Sequence, residues 1–358
     1  MDIGVSDVAE IITPGHGLVT DTLIMHGIVR LYDVEEVERV GDRYRITGDF
    51  AKIRKDVISL VRNELGMYFN AAYLGIGTEI FETSAVLGKL LNANVNIAYI
   101  RTWLAELEDS IEHADFTDIT RVYTENHKID MKEGLRPSRR SDYHTLYTAL
   151  SYRNNLRIEG IVEKSYQVCD YCFLLSNLGL IYGAAVLRYS YENRNTATML
   201  TIIPAARMGR EDLLLVQRFL RGRAMRLKVD LSMKAAVLYA FSVGEVLFTS
   251  NANPMTLVWR VEKTGGELMP ITVITFPLNG FLRKLAKIKL RYPEYVDLVK
   301  ELAVTNEGAS VLDTLADVLL TGSDPASVIG KITVLAEKGL IPQSILSSLE
   351  TFAEVLGE

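Results

Sequence analysis

Apolar residues recur along this chain with two different periods, and the change of period marks its organisation. Near the start, Leu23, Ile24, Gly27, Ile28 and Leu31 keep helical spacing behind Thr20 and Asp21, two capping residue types, so a helix is expected to begin there. Residues 42–49 set Tyr44 and Ile46 between polar neighbours and end beside Gly48, the two-residue period of a short strand. Helical spacing returns at Ile53, Val57, Leu60, Val61 and Leu65, up to Gly66; residues 95–100 read as a strand and 103–114 as a charged helix. Residues 115–155 lose periodicity and carry Gly134, Pro137 and Ser138, which is loop chemistry. Residues 173–187 read as an apolar helix, followed by a polar turn and a strand ending at Ile203 and Pro204. Two β-rich runs, 256–261 and 268–276, flank Lys263, Thr264, Gly265 and Gly266, a hairpin signal.

After Pro277 the pattern is helical alone. Phe281, Leu285 and Ile288 make one apolar edge, with Lys284, Lys287 and Arg291 on another face. Leu312, Leu315, Ala316 and Leu319 repeat at helical spacing, Ser323, Asp324 and Pro325 start a helix containing Ile329, Ile332 and Leu335, and Pro342 opens a last one with Ile345, Leu349, Phe352 and Leu356. The expected fold is therefore a mixed α/β (α+β) domain over residues 1–278 and an all-α helical bundle over 279–358. No internal repeat or low-complexity segment is found.

Composition changes this picture little: 48% hydrophobic and 23% charged residues describe an ordinary globular protein. Charge changes it more, because the net −6 conceals segregation. From Lys132 to Arg157 six basic residues face two acidic ones, and Phe281 to Pro293 holds five basic and no acidic residues. Glu294 to Glu358 has eleven acidic and three basic. The middle of the chain is thus expected to face an anion and the tail to face protein. The apolar run 172–187 falls short of the roughly 18 residues needed to cross a bilayer. Met1 to Glu10 lacks a basic leader region, so no membrane partner is expected and the expected location is cytoplasmic.

Candidate chemistry concentrates at Cys169 and Cys172, the two cysteines of the chain, and just after them. Three readings of this pair stay open: two buried small hydrophobes at a helix start, a structural zinc site completed by a histidine such as His144 or His127, or a redox dithiol. The dithiol reading expects a preceding strand, which residues 164–168 do not suggest. Downstream, Arg207, Arg210, Arg218, Arg221, Arg223, Arg226, Lys228 and Lys234 face only Glu211, Asp212 and Asp230. Guanidinium forks suit phosphate, so this cluster is a candidate nucleic-acid surface; the competing reading is a solvated face paired within the chain. Further candidates are the basic loop at Arg136, Arg139 and Arg140, and Lys284 with Lys287. Asn251 and Asn253 lie in a loop suited to reading base edges. His16 and His26 near Asp21 suggest a hydrolytic metal site, against which core or capping histidines are the default. Phosphate-binding loops, dinucleotide fingerprints and HExxH or GxSxG motifs are absent.

The order of these features resembles a known family. Ile12-Thr13-Pro14-Gly15-His16-Gly17 runs into a helix-like segment from Asp21 to Ile28, and later come the CxxC pair, an apolar helix, a short strand and Ile-Pro. This is similar to the large subunit of the type I-A (Apern subtype) CRISPR interference complex, Cascade, in the eighth Cas family; a second cysteine pair carried by some relatives is missing here. The resemblance implies a non-catalytic subunit of an archaeal antiviral surveillance complex that binds CRISPR guide RNA and target double-stranded DNA. It further implies help in recognising the protospacer-adjacent motif, and Cascade backbone subunits, a small subunit, a helicase and a nuclease as partners. No cofactor is expected; a structural zinc at Cys169 and Cys172 is the alternative left open, and the missing second cysteine pair counts against it. The alternative of another class is an enzyme, either a metal-dependent hydrolase or nuclease or a dithiol enzyme using Cys169 and Cys172.

Overall fold

A computed structural model describes residues 8–51, 123, 127, 143–146, 166–191, 194–220, 224–244, 253–264 and 267–357. The elements expected at 53–66, 95–100 and 103–114 lie outside these. The chain falls into two compact units, Met1–Ala184 with Ala206–Arg223, and Ala185–Ala205 with Ala224–Glu358.

The first unit holds a four-stranded antiparallel sheet in the order β1 (Ala9–Ile12), β3 (Arg43–Asp49), β2 (Asp33–Val40), β8 (Arg207–Gly209). Its register aligns Ile11 with Ile46, Ile46 with Val37 and Val37 with Met208, one buried row across all four strands. The opposite face carries a ladder of alternating charge. Arg45 sits 3.2 Å from Glu10 and 2.8 Å from Glu38, and Arg207 reaches Glu38 at 3.1 Å and Glu36 at 3.7 Å. Strand pleating separates the two rows, because successive side chains point to opposite faces.

Helix α1 (Leu18–Leu31) is buried on every side from Val19 onward. It begins earlier than its capping types suggest. Gly15 and Gly17 hold φ values of 90° and 108°, so the chain turns sharply ahead of Leu18. Thr20 and Asp21 then lie inside the helix, and the Asp21 carboxylate accepts the Gly15 amide at 2.8 Å, closing the loop rather than capping the helix. Helix α2 (Asp170–Gly183) crosses α1 at very close range. A Cβ on Gly179 would lie on the backbone of Leu23, and one on Gly27 on the backbone of Leu175. The helix expected over 173–187 therefore starts and stops earlier; from Ala184 the chain is strand β6 (Ala184–Tyr191). Helix α3 (Arg210–Leu220) joins this core, where the Gln217 amide donates to the His26 carbonyl at 2.7 Å.

Within the segment expected to be loop, β4 (Tyr143–Leu146) pairs with β5 (Tyr166–Cys169). A strand thus does precede Cys169, which corrects the expectation drawn from residues 164–168.

The second unit has a five-stranded sheet in the order β11 (Glu267–Pro277), β10 (Pro254–Thr264), β7 (Arg194–Pro204), β6, β9 (Ala224–Leu227). The expected hairpin is present as β10 and β11. Strand β10 buries both neighbours Leu257 and Val258, as an interior strand covered on two faces does. From Asn279 onward the structure is helical: α5 (Asn279–Arg291), α6 (Tyr295–Leu302), α7 (Asn306–Thr321), α8 (Ala326–Glu337), a 3-10 turn (Gln343–Ser348) and α9 (Leu349–Gly357). Of these, α5, α6 and α7 pack against α4 (Met233–Val243). Phe281 meets Phe241 edge to face, Tyr295 and Ser242 share a buried hydrogen bond of 2.8 Å, and the Lys289 ammonium donates to the carbonyls of Phe241 and Gly244. The change to helical spacing after Pro277 put a boundary at residue 278, and the structure turns helical there.

Candidate functional site

The arginine cluster is spread over several elements. Arg207 ends in the charge ladder of β2, β3 and β8, and Arg210 pairs with Asp33 at 2.6 Å. Lys234 pairs with Asp317 at 2.5 Å, an interaction that raises the lysine pKa. Arg218 lies exposed on α3, whose other face buries Leu213, Val216 and Leu220. Arg226 and Lys228 are exposed on and just beyond β9, the edge strand of the second sheet. No ion pair involves these last three among the described residues. Arg207, Arg210 and Arg218 belong to the first unit, and Arg226, Lys228 and Lys234 to the second. Arg221 and Arg223 lie outside the described residues, as do Arg136, Arg139, Arg140 and Asn251.

One basic residue was not legible in the linear pattern. The parallel register of β6 and β9 sets Arg188 directly against Arg226. Partial burial and then the Arg226 charge hold the Arg188 pKa below its ordinary value. Only the pairing of two strands far apart in sequence brings these like charges together.

Asn253 is exposed, but its side-chain oxygen accepts from the Asn279 amide at the start of α5, and its carbonyl accepts from Ala205 at 3.1 Å. Lys284 is half-buried and Lys287 exposed on α5.

The cysteine pair sits among histidines. Cys169 is the N-cap of α2 and Cys172 lies one turn in, so both thiols face the start of one helix. The Cys172 sulfur is 3.4 Å from His16 Nε2, 3.3 Å from His127 Nε2 and 3.3 Å from the Tyr123 hydroxyl. The Cys169 sulfur is 3.8 Å from His127 Nε2. The His127 ring stacks on Tyr123, and His16 approaches it edge-on. All four Cys and His side chains are buried, with Cys169 and Cys172 at 2% and 0% exposure. Neither forms a disulfide. Burial removes the access that thiol–disulfide exchange requires, which disfavours the redox reading. Beside His16, burial pushes the Asp21 carboxyl up, while the His16 charge and hydrogen bonds from Thr13 and Gly15 act against that rise. His26 lies on α1 with its ring against Gly183, in the helix core.

The described residues form a mixed α/β chain with an exposed basic edge strand and a buried thiol–imidazole cluster, and comparison with known proteins gives its family. Residues 9–352 match the family model described as CRISPR-associated protein (Cas_Csa4), so the chain belongs to that CRISPR-associated family. It is also 30% identical over 371 aligned residues to the "CRISPR system associated protein Cas8" of Thermoproteus tenax, an alignment covering 97% of each chain. The chain is a Cas8-type CRISPR large subunit. No helix among the described residues is long and apolar enough to cross a membrane.

Proposed function

We propose that this protein is the non-catalytic large subunit of a type I-A Cascade, a CRISPR RNA-guided surveillance complex. In that role it binds backbone phosphates of guide RNA or target duplex, helps recognise the protospacer-adjacent motif and recruits the helicase and nuclease. In such systems base pairing reads the target, and protein reads a short motif and the backbone. The family match over nearly the whole chain supports the CRISPR assignment. The observation that carries the nucleic-acid part is the second-unit edge, where Arg188 and Arg226 stand opposite each other with Lys228 beyond. Like charges directly opposite in a sheet are destabilising, and a bound phosphate removes that repulsion.

The test is duplex binding by the full chain across a salt series. Replacing Arg218, Arg226 and Lys228 by alanine is expected to weaken binding alike for all sequences and to lower the log–log salt slope by about 0.9 per lost phosphate contact. A triple variant with the wild-type slope sinks the proposal for these side chains. Co-purification with Cascade subunits tests the assembly separately.

A further inference from the structure

We propose that His16, His127, Cys169 and Cys172 bind one zinc ion as a tetrahedral Cys2His2 site, locking the loop before α1 and the segment at His127 to the start of α2. In a tetrahedral zinc site with zinc–sulfur bonds of about 2.3 Å and zinc–nitrogen bonds of about 2.0 Å, sulfur and nitrogen ligands stand about 3.5 Å apart. The three sulfur–nitrogen separations here are 3.3, 3.4 and 3.8 Å, on either side of that value. The ligand atoms of His16, His127 and Cys172 all lie within 4.8 Å of one another; the Cys169 sulfur stands outside that group, meets it at His127, 3.8 Å away, and has to close in to become the fourth ligand. Both histidines present Nε2 to the sulfurs.

Charge and surroundings agree with zinc. Two thiolates neutralise one dication and two imidazoles add no charge, so a fully buried site stays neutral and escapes the large cost of burying net charge. The N-terminus of α2 favours thiolate at Cys169 and Cys172. The Tyr123 hydroxyl donates to the Cys172 sulfur, and such an outer partner orients a ligand in a metal site. Sulfur–nitrogen tetrahedral geometry selects zinc over the hard cations that catalysis on phosphates uses. All four ligand positions come from protein and the cluster is buried, which is the pattern of a structural site; catalytic zinc keeps a position open.

His16 and Cys172 are separated by 156 residues, and His127 and Cys172 by 45. The ion would therefore join three distant segments at the end of the tight α1–α2 pair.

The test uses the full chain expressed with zinc in the medium and purified under reducing conditions. About one zinc per chain is expected by elemental analysis, with an absorption-edge fit of two sulfur and two nitrogen ligands. Cys172→Ser is expected to lose the metal. A strong zinc chelator is expected to lower the wild-type Tm and leave that of Cys172→Ser unchanged. His144→Ala, whose residue pairs with Val168 in the β4–β5 register, is expected to keep its zinc. A metal-free wild-type protein, or a metal shell without sulfur, overturns the proposal, and these measurements stand even where Cys172→Ser fails to fold. Loss of zinc in His144→Ala with retention in His16→Ala overturns the ligand set.

Discussion

Replacing Gly179 by alanine should separate α1 from α2 and destabilise the first unit. A Cβ at Gly179 would fall on the Leu23 carbonyl oxygen, with the carbonyl carbon 2.5 Å and Cα 2.8 Å away. Backbone atoms of a buried helix cannot rotate aside as a side chain can, so the helices must move apart by about 1 Å and loosen the packing around them. Overpacking of this kind typically costs about 1–3 kcal/mol, and a clash with backbone belongs at the upper end. Alanine is about 1 kcal/mol better than glycine inside a helix, which leaves a net loss of about 2 kcal/mol. The control is Gly330→Ala in α8, where an added Cβ meets nothing within 4 Å and only the propensity gain remains. Urea denaturation of wild type and both variants, read by circular dichroism, should show opposite signs for the two substitutions. Equal stabilisation by both would refute the close crossing of α1 and α2.

Two further outcomes follow from the packing and the charges. A chain ending at residue 278 removes Phe281 from Phe241, the Tyr295 hydroxyl from Ser242 and the Lys289 ammonium from the carbonyls of Phe241 and Gly244, so it should aggregate or bind an apolar dye; a monomeric fragment with a cooperative melt contradicts this. Arg45 first and Arg207 second hold the Glu38 carboxyl below its ordinary value. Its stabilisation is therefore present above the unfolded pKa of about 4.3 and disappears as pH falls through the lower folded value. An NMR titration should show Arg45→Ala raising the Glu38 pKa more than Arg207→Ala does, and a Glu38 already at its ordinary value would mean the charge ladder does not form in solution.

What the linear pattern revealed, and what it hid, follows from the range of the interactions. Local periodicity found β3, the β10–β11 hairpin, and the apolar faces of α5 and α7, because each depends on neighbours within a few residues. It misplaced both ends of the apolar helix; at the far end, the strand-forming run after Gly183 shows itself only through the sheet it joins. It also misread Thr20 and Asp21, which lie inside the helix, the Asp21 carboxylate accepting from Gly15 of the preceding loop. The cysteine site was half legible: CxxC spacing marked one edge and His127 was among the named histidines. His16 was set aside for a different site, because its 156-residue separation from Cys172 closes only in the folded chain.

The same distinction between local and long-range pairing orders the basic residues as phosphate ligands. Arg207, Arg210 and Lys234 are each held by carboxylates on other elements, in exposed pairs worth about 0–1 kcal/mol apiece. A phosphate can displace such a partner, but the displaced Glu36, Glu38, Asp33 or Asp317 stays close by and repels it, so the gain from each contact is reduced. Arg218, Arg226 and Lys228 have no described carboxylate to release. A phosphate contact there keeps its full counterion-release benefit, and at Arg226 it also relieves the repulsion from Arg188. Sequence alone weighted all eight positive charges of the cluster equally. The folded chain concentrates the argument for nucleic-acid binding on α3 and the β9 edge, and leaves the charge ladder of the first sheet as part of the fold.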